Sequence, residues 1–231
     1  MKYYQIFLLI CFFSCTKKDN SNISERNTDE ITIGNQIWMK QNLSVTKYRN
    51  GDIIPEVKDW NEWKALKTGA WCYYNNDPST NEKYGKLYNT AAIFDQRGLA
   101  PEGWHIPEKS EVEALLIFLG GSVTAGGKMK STGTIEDGNG LWNSPNIATN
   151  SSGFGANPAG KRNGDIYSNT KPEFEEMGNS AYYWISFVTG DVRSGYYLNF
   201  SLGNSSNSVF FQQMNVMRNG KDGISVRCIK D

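Results

Sequence analysis

Few side chains in this sequence are equipped for chemistry. The chain has 231 residues, with one histidine and four cysteines. A single imidazole excludes a multi-histidine metal site and a histidine-to-histidine proton relay. That residue, His105, stands in Gly103-Trp104-His105-Ile106-Pro107. It offers a general base or a metal ligand, but no nucleophile and acid accompany it in a recognisable set. The preferred reading is a structural histidine at a helix entrance, bonded to nearby backbone, and no catalytic residue is assigned. Cys72 and Cys228 are candidates for a disulfide. A bridge would close a loop of about 156 residues, worth roughly 5 kcal/mol in the chain-entropy picture. The alternative is two buried free thiols. Asn75, Asn76 and Asp77, followed by Asn81 and Glu82, could offer oxygens to calcium. Their spacing is not that of an EF-hand, and these residue types also make ordinary turns. Calcium is thus a minor candidate at Asn75 and Asp77; no other metal or cofactor is implied. Trp60, Trp63, Trp71, Tyr73 and Tyr74 crowd together, and Trp142 follows in Trp-Asn-Ser-Pro-Asn. If exposed, Trp60, Trp63 and Trp142 would offer ring faces to a ligand; if buried, they would fill a core. Gly126-Gly127-Lys128 reads as a loop without the full phosphate-binding spacing.

The elements that must position these residues are short. Charged residues make up 21% and hydrophobic residues 39%, a globular balance. Basic and acidic side chains number 24 each, which is not the footprint of a nucleic-acid binder. Ile31 to Met39 alternates around Gly34-Asn35 and predicts a hairpin. Residues 85 to 96 place Leu87, Tyr88, Ala91 and Ala92 on one face of a candidate helix. A clearer helix follows Pro107, with Val112, Leu115, Leu116 and Leu119 as its apolar stripe and Gly120-Gly121 as its stop. Residues 121 to 181 are rich in Gly, Asn and Ser, with only short strand candidates. Four strand-like runs close the chain, at 182–186, 195–202, 208–214 and 224–229. Two helices before several strands indicate an α+β domain.

The first residues carry an address. Lys2 precedes an apolar run from Tyr3 to Phe13, and then come Ser14 and Cys15. That run is far shorter than the roughly 20 residues needed to cross a bilayer, so it reads as a signal-peptide core. Ser14-Cys15 followed by Thr16-Lys17-Lys18-Asp19-Asn20 resembles a bacterial lipobox of the looser Bacteroidetes type. This resemblance implies cleavage after residue 14 and lipid attachment at Cys15, with a membrane anchor that needs no spanning helix. The charged stretch after the cysteine resembles the export signals of surface lipoproteins. The expected location is the bacterial outer membrane, facing outward, with a periplasm-facing orientation as the alternative. Residues 15–30 contain a single large apolar side chain, Ile23, and read as a polar tether. The remainder, 31–231, reads as one domain.

Several phrases of that domain occur in a telling order. They are Ile37-Trp38-Met39 with Asn42-Leu43, Tyr84-Gly85-Lys86-Leu87-Tyr88-Asn89, and Gly103-Trp104-His105-Ile106-Pro107. Asn150-Ser-Ser-Gly-Phe154 with Pro158-Ala-Gly160, Tyr183-Trp184-Ile-Ser186 and Gly223-Ile-Ser-Val-Arg-Cys228 follow. Together they resemble the Fibrobacter succinogenes major paralogous domain, over about residues 31 to 231. The resemblance implies a C-type-lectin-like fold, with two helices packed on a twisted, turn-rich, mostly antiparallel sheet and the end strands paired. It also implies extracellular binding or adhesion and no known reaction. The chain departs from many members by having Leu99-Ala100-Pro101 where they have a cysteine, and Glu108 where they have Ser. Losing that Ser removes a good helix cap, at a cost of about 1 kcal/mol.

The sequence therefore predicts a non-enzymatic, lipid-anchored binding module. Its partners would be the membrane, through the anchor, and an extracellular polysaccharide or protein, but no nucleic acid. Loops between about 121 and 181, with the turns of the closing strands, are the expected contact surface. A structural accessory lipoprotein of an envelope assembly is the alternative. The formylglycine-generating enzymes, with a similar fold, are a remote third, because that chemistry needs two closely placed cysteines at an open groove.

Overall fold

The computed structural model describes residues 30–165, 172–189, 196–215 and 221–231. Cys15, the apolar run before it and the tether up to residue 29 lie outside the described residues. Strands β1 (Glu30–Ile33) and β2 (Gln36–Met39) form the expected hairpin, in register from Glu30↔Met39 to Ile33↔Gln36. Gly34 turns it at φ +62°, a conformation that costs glycine little. A short helix, α1 (Trp60–Ala65), starts where Asp59 Oδ1 accepts from the Glu62 N–H at 2.7 Å.

The helix anticipated over residues 85–96 is instead several pieces. After strand β3 (Trp71–Cys72) and helix α2 (Asn81–Tyr84), these residues form strand β4 (Leu87–Tyr88) and then helix α3 (Thr90–Ile93). Asn89 is the cause: its Oδ1 accepts from both Ala92 N and Ala70 N at 3.0 Å, capping a new helix and tying it to the chain before β3. Tyr88 N meanwhile donates to Ile224 O, and β4 pairs with β3. Tertiary pairing overrides the apolar stripe.

Strand β5 (Trp104–His105) leads into α4 (Lys109–Phe118), which buries Val112, Leu115 and Leu116 as its stripe predicts. Glu108 and Glu111 form a capping box in place of the missing Ser cap, with Glu111 Oε2 accepting from Glu108 N at 2.8 Å. Gly120, at φ +94°, ends the helix, and Gly121 N donates to Leu116 O. The chain then forms α5 (Ser122–Met129), at 84° to α4. Gly126-Gly127-Lys128 is therefore helical, not a loop. Among the described residues no single helix is long and apolar enough to cross a membrane.

Strands β6 (Ala159–Arg162) and β7 (Phe174–Met177) make a small ribbon. Strands β8 (Ser180–Thr189), β9 (Tyr196–Gly203) and β10 (Val209–Asn215) make an antiparallel sheet in that order. The last anticipated strand is mostly isolated bridges: Ile224 meets Tyr88 and Ser225 meets Tyr183. Only β11 (Ile229–Lys230) is regular; it lies between β2 and β5, so both ends of the domain share one sheet. The result is a mixed helix-and-sheet fold with several small antiparallel sheets and few helices. One core lies between α4, α5 and the Tyr183–Ile185 face of the three-stranded sheet. Two smaller ones surround Trp184 with Trp71, and Trp63 with Cys72.

Candidate functional site

Most residues marked by the sequence as chemically capable turn out to be structural. Trp63 and Trp142 are fully buried, so they form no exposed platform. Trp63 Nε1 donates to Lys221 O, and the Arg162 guanidinium lies 4.5 Å from its ring centre. Trp142 Nε1 donates to Ser131 Oγ at 3.0 Å and to Ala156 O at 3.2 Å. Trp60 is half-buried; it donates to Asn163 O, and Lys64 Nζ covers its ring at 4.1 Å. Burying indole area outweighs displaying it here, because each N–H finds an acceptor inside.

Cys72 and Cys228 are free and buried; the bridge is not formed. They belong to different cores. Burial pushes both thiols up to about 12, so neither is a thiolate near neutral pH. Asn75 and Asn76 take left-handed backbone angles in a tight turn, and Asp77 accepts from both Ser79 N and Ser79 Oγ. The Asp77 carboxylate therefore caps a local turn. Among the described residues, no group of three or more His, Cys, Asp and Glu could hold a metal ion.

His105 differs from its expected backbone bonding. Its Nδ1 lies 2.7 Å from Asp231 Oδ1, and its Nε2 lies 2.9 Å from Glu111 Oε1. Burial works against its charge, but the bonds to Glu111 and Asp231 outweigh that and raise its pKa above 6.5. Two carboxylate acceptors suit an imidazolium with two donors. His105 is thus a clasp between α4 and the residue following β11.

Surface depressions remain as candidates. Arg49, Asn50, Gln96 and Arg97 line one of about 490 Å³. An adjoining one of about 320 Å³ shares Arg49 and reaches His105, Glu108 and Ser186. Their cationic groups are already engaged. Arg97 pairs with Asp95 and Asp52, and holds Asp95 down at about 2 through its hydrogen bond. Arg49 donates to the carbonyls of Ala100 and Trp104 at 3.1 and 3.0 Å.

The third depression, about 380 Å³, runs along α5. Thr124, Gly127 and Lys128 form its floor; Ile147, Thr149 and Ser151 form one wall, and Asn207 the other. The walls are bonded to α5 through its backbone. Thr149 N donates to Gly127 O at 2.7 Å, and Ser152 Oγ donates to Lys128 O at 2.8 Å. On the other side Gly126 N donates to Asn207 O at 2.7 Å. That approach needs glycine, since a Cβ on residue 126 would meet the Asn207 carbonyl oxygen at 2.7 Å. Buried Lys130 grips the same turn, its Nζ donating to Gly203 O, Asn204 O and Ser206 O at 2.6 to 2.8 Å. A groove so bonded is preformed, which lowers the ordering cost of any ligand. Most of its lining falls in the stretch that the sequence marked as contact surface. Asn207 lies in a turn of the closing strands, also marked; what the sequence did not show is the backbone approach between that turn and the glycines of α5.

The Fibrobacter succinogenes major domain model matches residues 31–230. The chain belongs to that family. No curated protein and no solved structure matches it. The phrases that carried the resemblance are largely framework in this member of the family: Trp38, Trp184 and Cys228 are buried, and Arg227 is a buried hub.

Proposed function

We propose that this chain is an exported binding module without a catalytic step, and that the α5 groove is its contact face. In this reading Cys15 carries the lipid, residues 16 to 29 span from the membrane, and the domain stands at the outer-membrane surface. The ligand is an extracellular polysaccharide or a protein. The carrying observation is the groove itself: an open cleft whose two walls are each hydrogen-bonded to the backbone of one helix. Buried thiols at about 12 weigh against a formylglycine-type reaction, which uses accessible, ionisable sulfur. We also assign the C-type-lectin-like variant of the fold. The strand near each end meeting in one sheet, at Ile229↔Trp38, supports it, as does the turn-rich stretch between α5 and β8.

The test uses the full chain in detergent, immobilised and offered envelope polysaccharide and envelope protein separately. Retention of either, lost in Ser151→Trp at unchanged melting temperature, is the expected result. No retention, or retention indifferent to a bulky side chain at exposed Ser151, would refute the assignment.

A further inference from the structure

We propose that the α5 groove takes a neutral saccharide unit and does so without calcium. The proposal rests on reading the chain as a binding module and names the ligand class of that site. The argument is one of chemical matching. Among the described residues, no carboxylate and no arginine lines the groove. Its one cation, Lys128, already donates to Leu119 O at 2.8 Å. An anionic ligand therefore finds a single ammonium, partly engaged by a carbonyl, and no guanidinium fork there, and a divalent cation finds no carboxylate ligand.

What the groove does offer is hydroxyl and amide groups with bonding capacity left. Thr124 Oγ1 donates to Gly120 O at 3.0 Å, which leaves its lone pairs open. Thr149 Oγ1 lies 3.3 Å from both Gly127 O and Ser151 Oγ, long contacts that a ligand hydroxyl could improve. The Asn207 side chain is exposed, and with its Oδ1 packed against Gly127 its amide offers a pair of N–H donors. Ile147 is half exposed and adds an aliphatic surface beside these polar groups. A pyranose has the complementary pattern: a rim of hydroxyls that both donate and accept, and a C–H face that prefers an apolar neighbour. Sites built to hydrogen-bond a hydroxyl discriminate strongly, because unfilled partners are costly. Preformed walls bring that cost forward into folding.

The experiment measures binding of the full chain in detergent to a panel of oligosaccharides. Neutral glucan, mannan and xylan fragments stand beside polygalacturonate and sulfated fragments, with and without a calcium chelator. The expected result is chelator-insensitive binding to one or more neutral members. Thr149→Val with Asn207→Ala should weaken it at least tenfold, and Ser151→Trp should abolish it, at unchanged melting temperature. Binding confined to acidic members, loss on chelation, or indifference to these variants would overturn the proposal. So would a folded chain that binds no panel member. If that same chain retains envelope protein and Ser151→Trp releases it, the binding-module reading stands and the saccharide assignment falls.

Discussion

Buried cations hold the irregular chain together. Arg227 is fully buried, with neutral oxygen partners: Asn42 Oδ1 and the carbonyls of Met39, Lys40 and Phe154. Arg162 reaches Val57 O and Lys58 O and pairs with Glu173 at 2.6 Å. Lys130 holds three carbonyls of the 203–206 turn. Loop carbonyls lack ladder partners, so a cation with several donors can satisfy a whole turn. Lys130→Met keeps the bulk but strands those carbonyls; it should cost about 2–4 kcal/mol, read from denaturant unfolding. His105 makes a second, pH-dependent case. Its folded pKa is raised, so its contribution is complete below the unfolded value near 6.5 and fades as pH rises through the folded value. Glu111→Gln should lower the imidazole pKa in an NMR titration. Its stability deficit against wild type should be larger at pH 6 than at pH 9; an equal deficit at both would contradict the clasp. A structural role was legible for His105, but none of these partners was, because a lone cation in a sequence does not say which carbonyls or carboxylates it will meet.

At the scale of elements, legibility followed how much of each element's stability is local. The first hairpin and α4 could be read because turn residue, stripe and stop all agree within one short window. Helix α5 was hidden by its two glycines, which in isolation disfavour a helix by about 1 kcal/mol each. Those glycines serve the approach of the 203–208 turn, a non-local fact. Gly126→Ala should therefore destabilise by about 1–3 kcal/mol, although alanine is the better helix former, because its Cβ would press on the Asn207 carbonyl. Gly127→Ala meets only the end of the exposed Asn207 side chain, which can swing aside. Its cost should be clearly smaller. Equal effects in the two variants would mean that helix propensity, not backbone approach, governs this element. The turn that carries Asn207 was legible as a turn of the closing strands, but its approach to α5 was not, for the same reason.

The whole molecule answers the question that its cysteines raised. With its ends paired through β2 and β11, the domain is already closed, and a long-range bridge would add constraint mainly to the unfolded chain. Sequence could supply the spacing of Cys72 and Cys228 but not their depth. In the fold they lie in separate cores, one beside Trp63 and the other beside Trp184, with the buried arginines supplying long-range ties instead. Two outcomes follow for the intact chain. A thiol reagent should leave Cys72 and Cys228 unmodified under native conditions and label both after unfolding, since each thiol is buried with its pKa near 12. Reductant should leave the unfolding midpoint unchanged. A bridge across about 156 residues would instead make reduction cost roughly 5 kcal/mol on the entropic estimate, a shift too large to miss in a domain whose total stability is about 5–15 kcal/mol. A midpoint that falls by that amount on reduction would mean that the two cores are joined by sulfur, and that the arginine hubs are secondary to it.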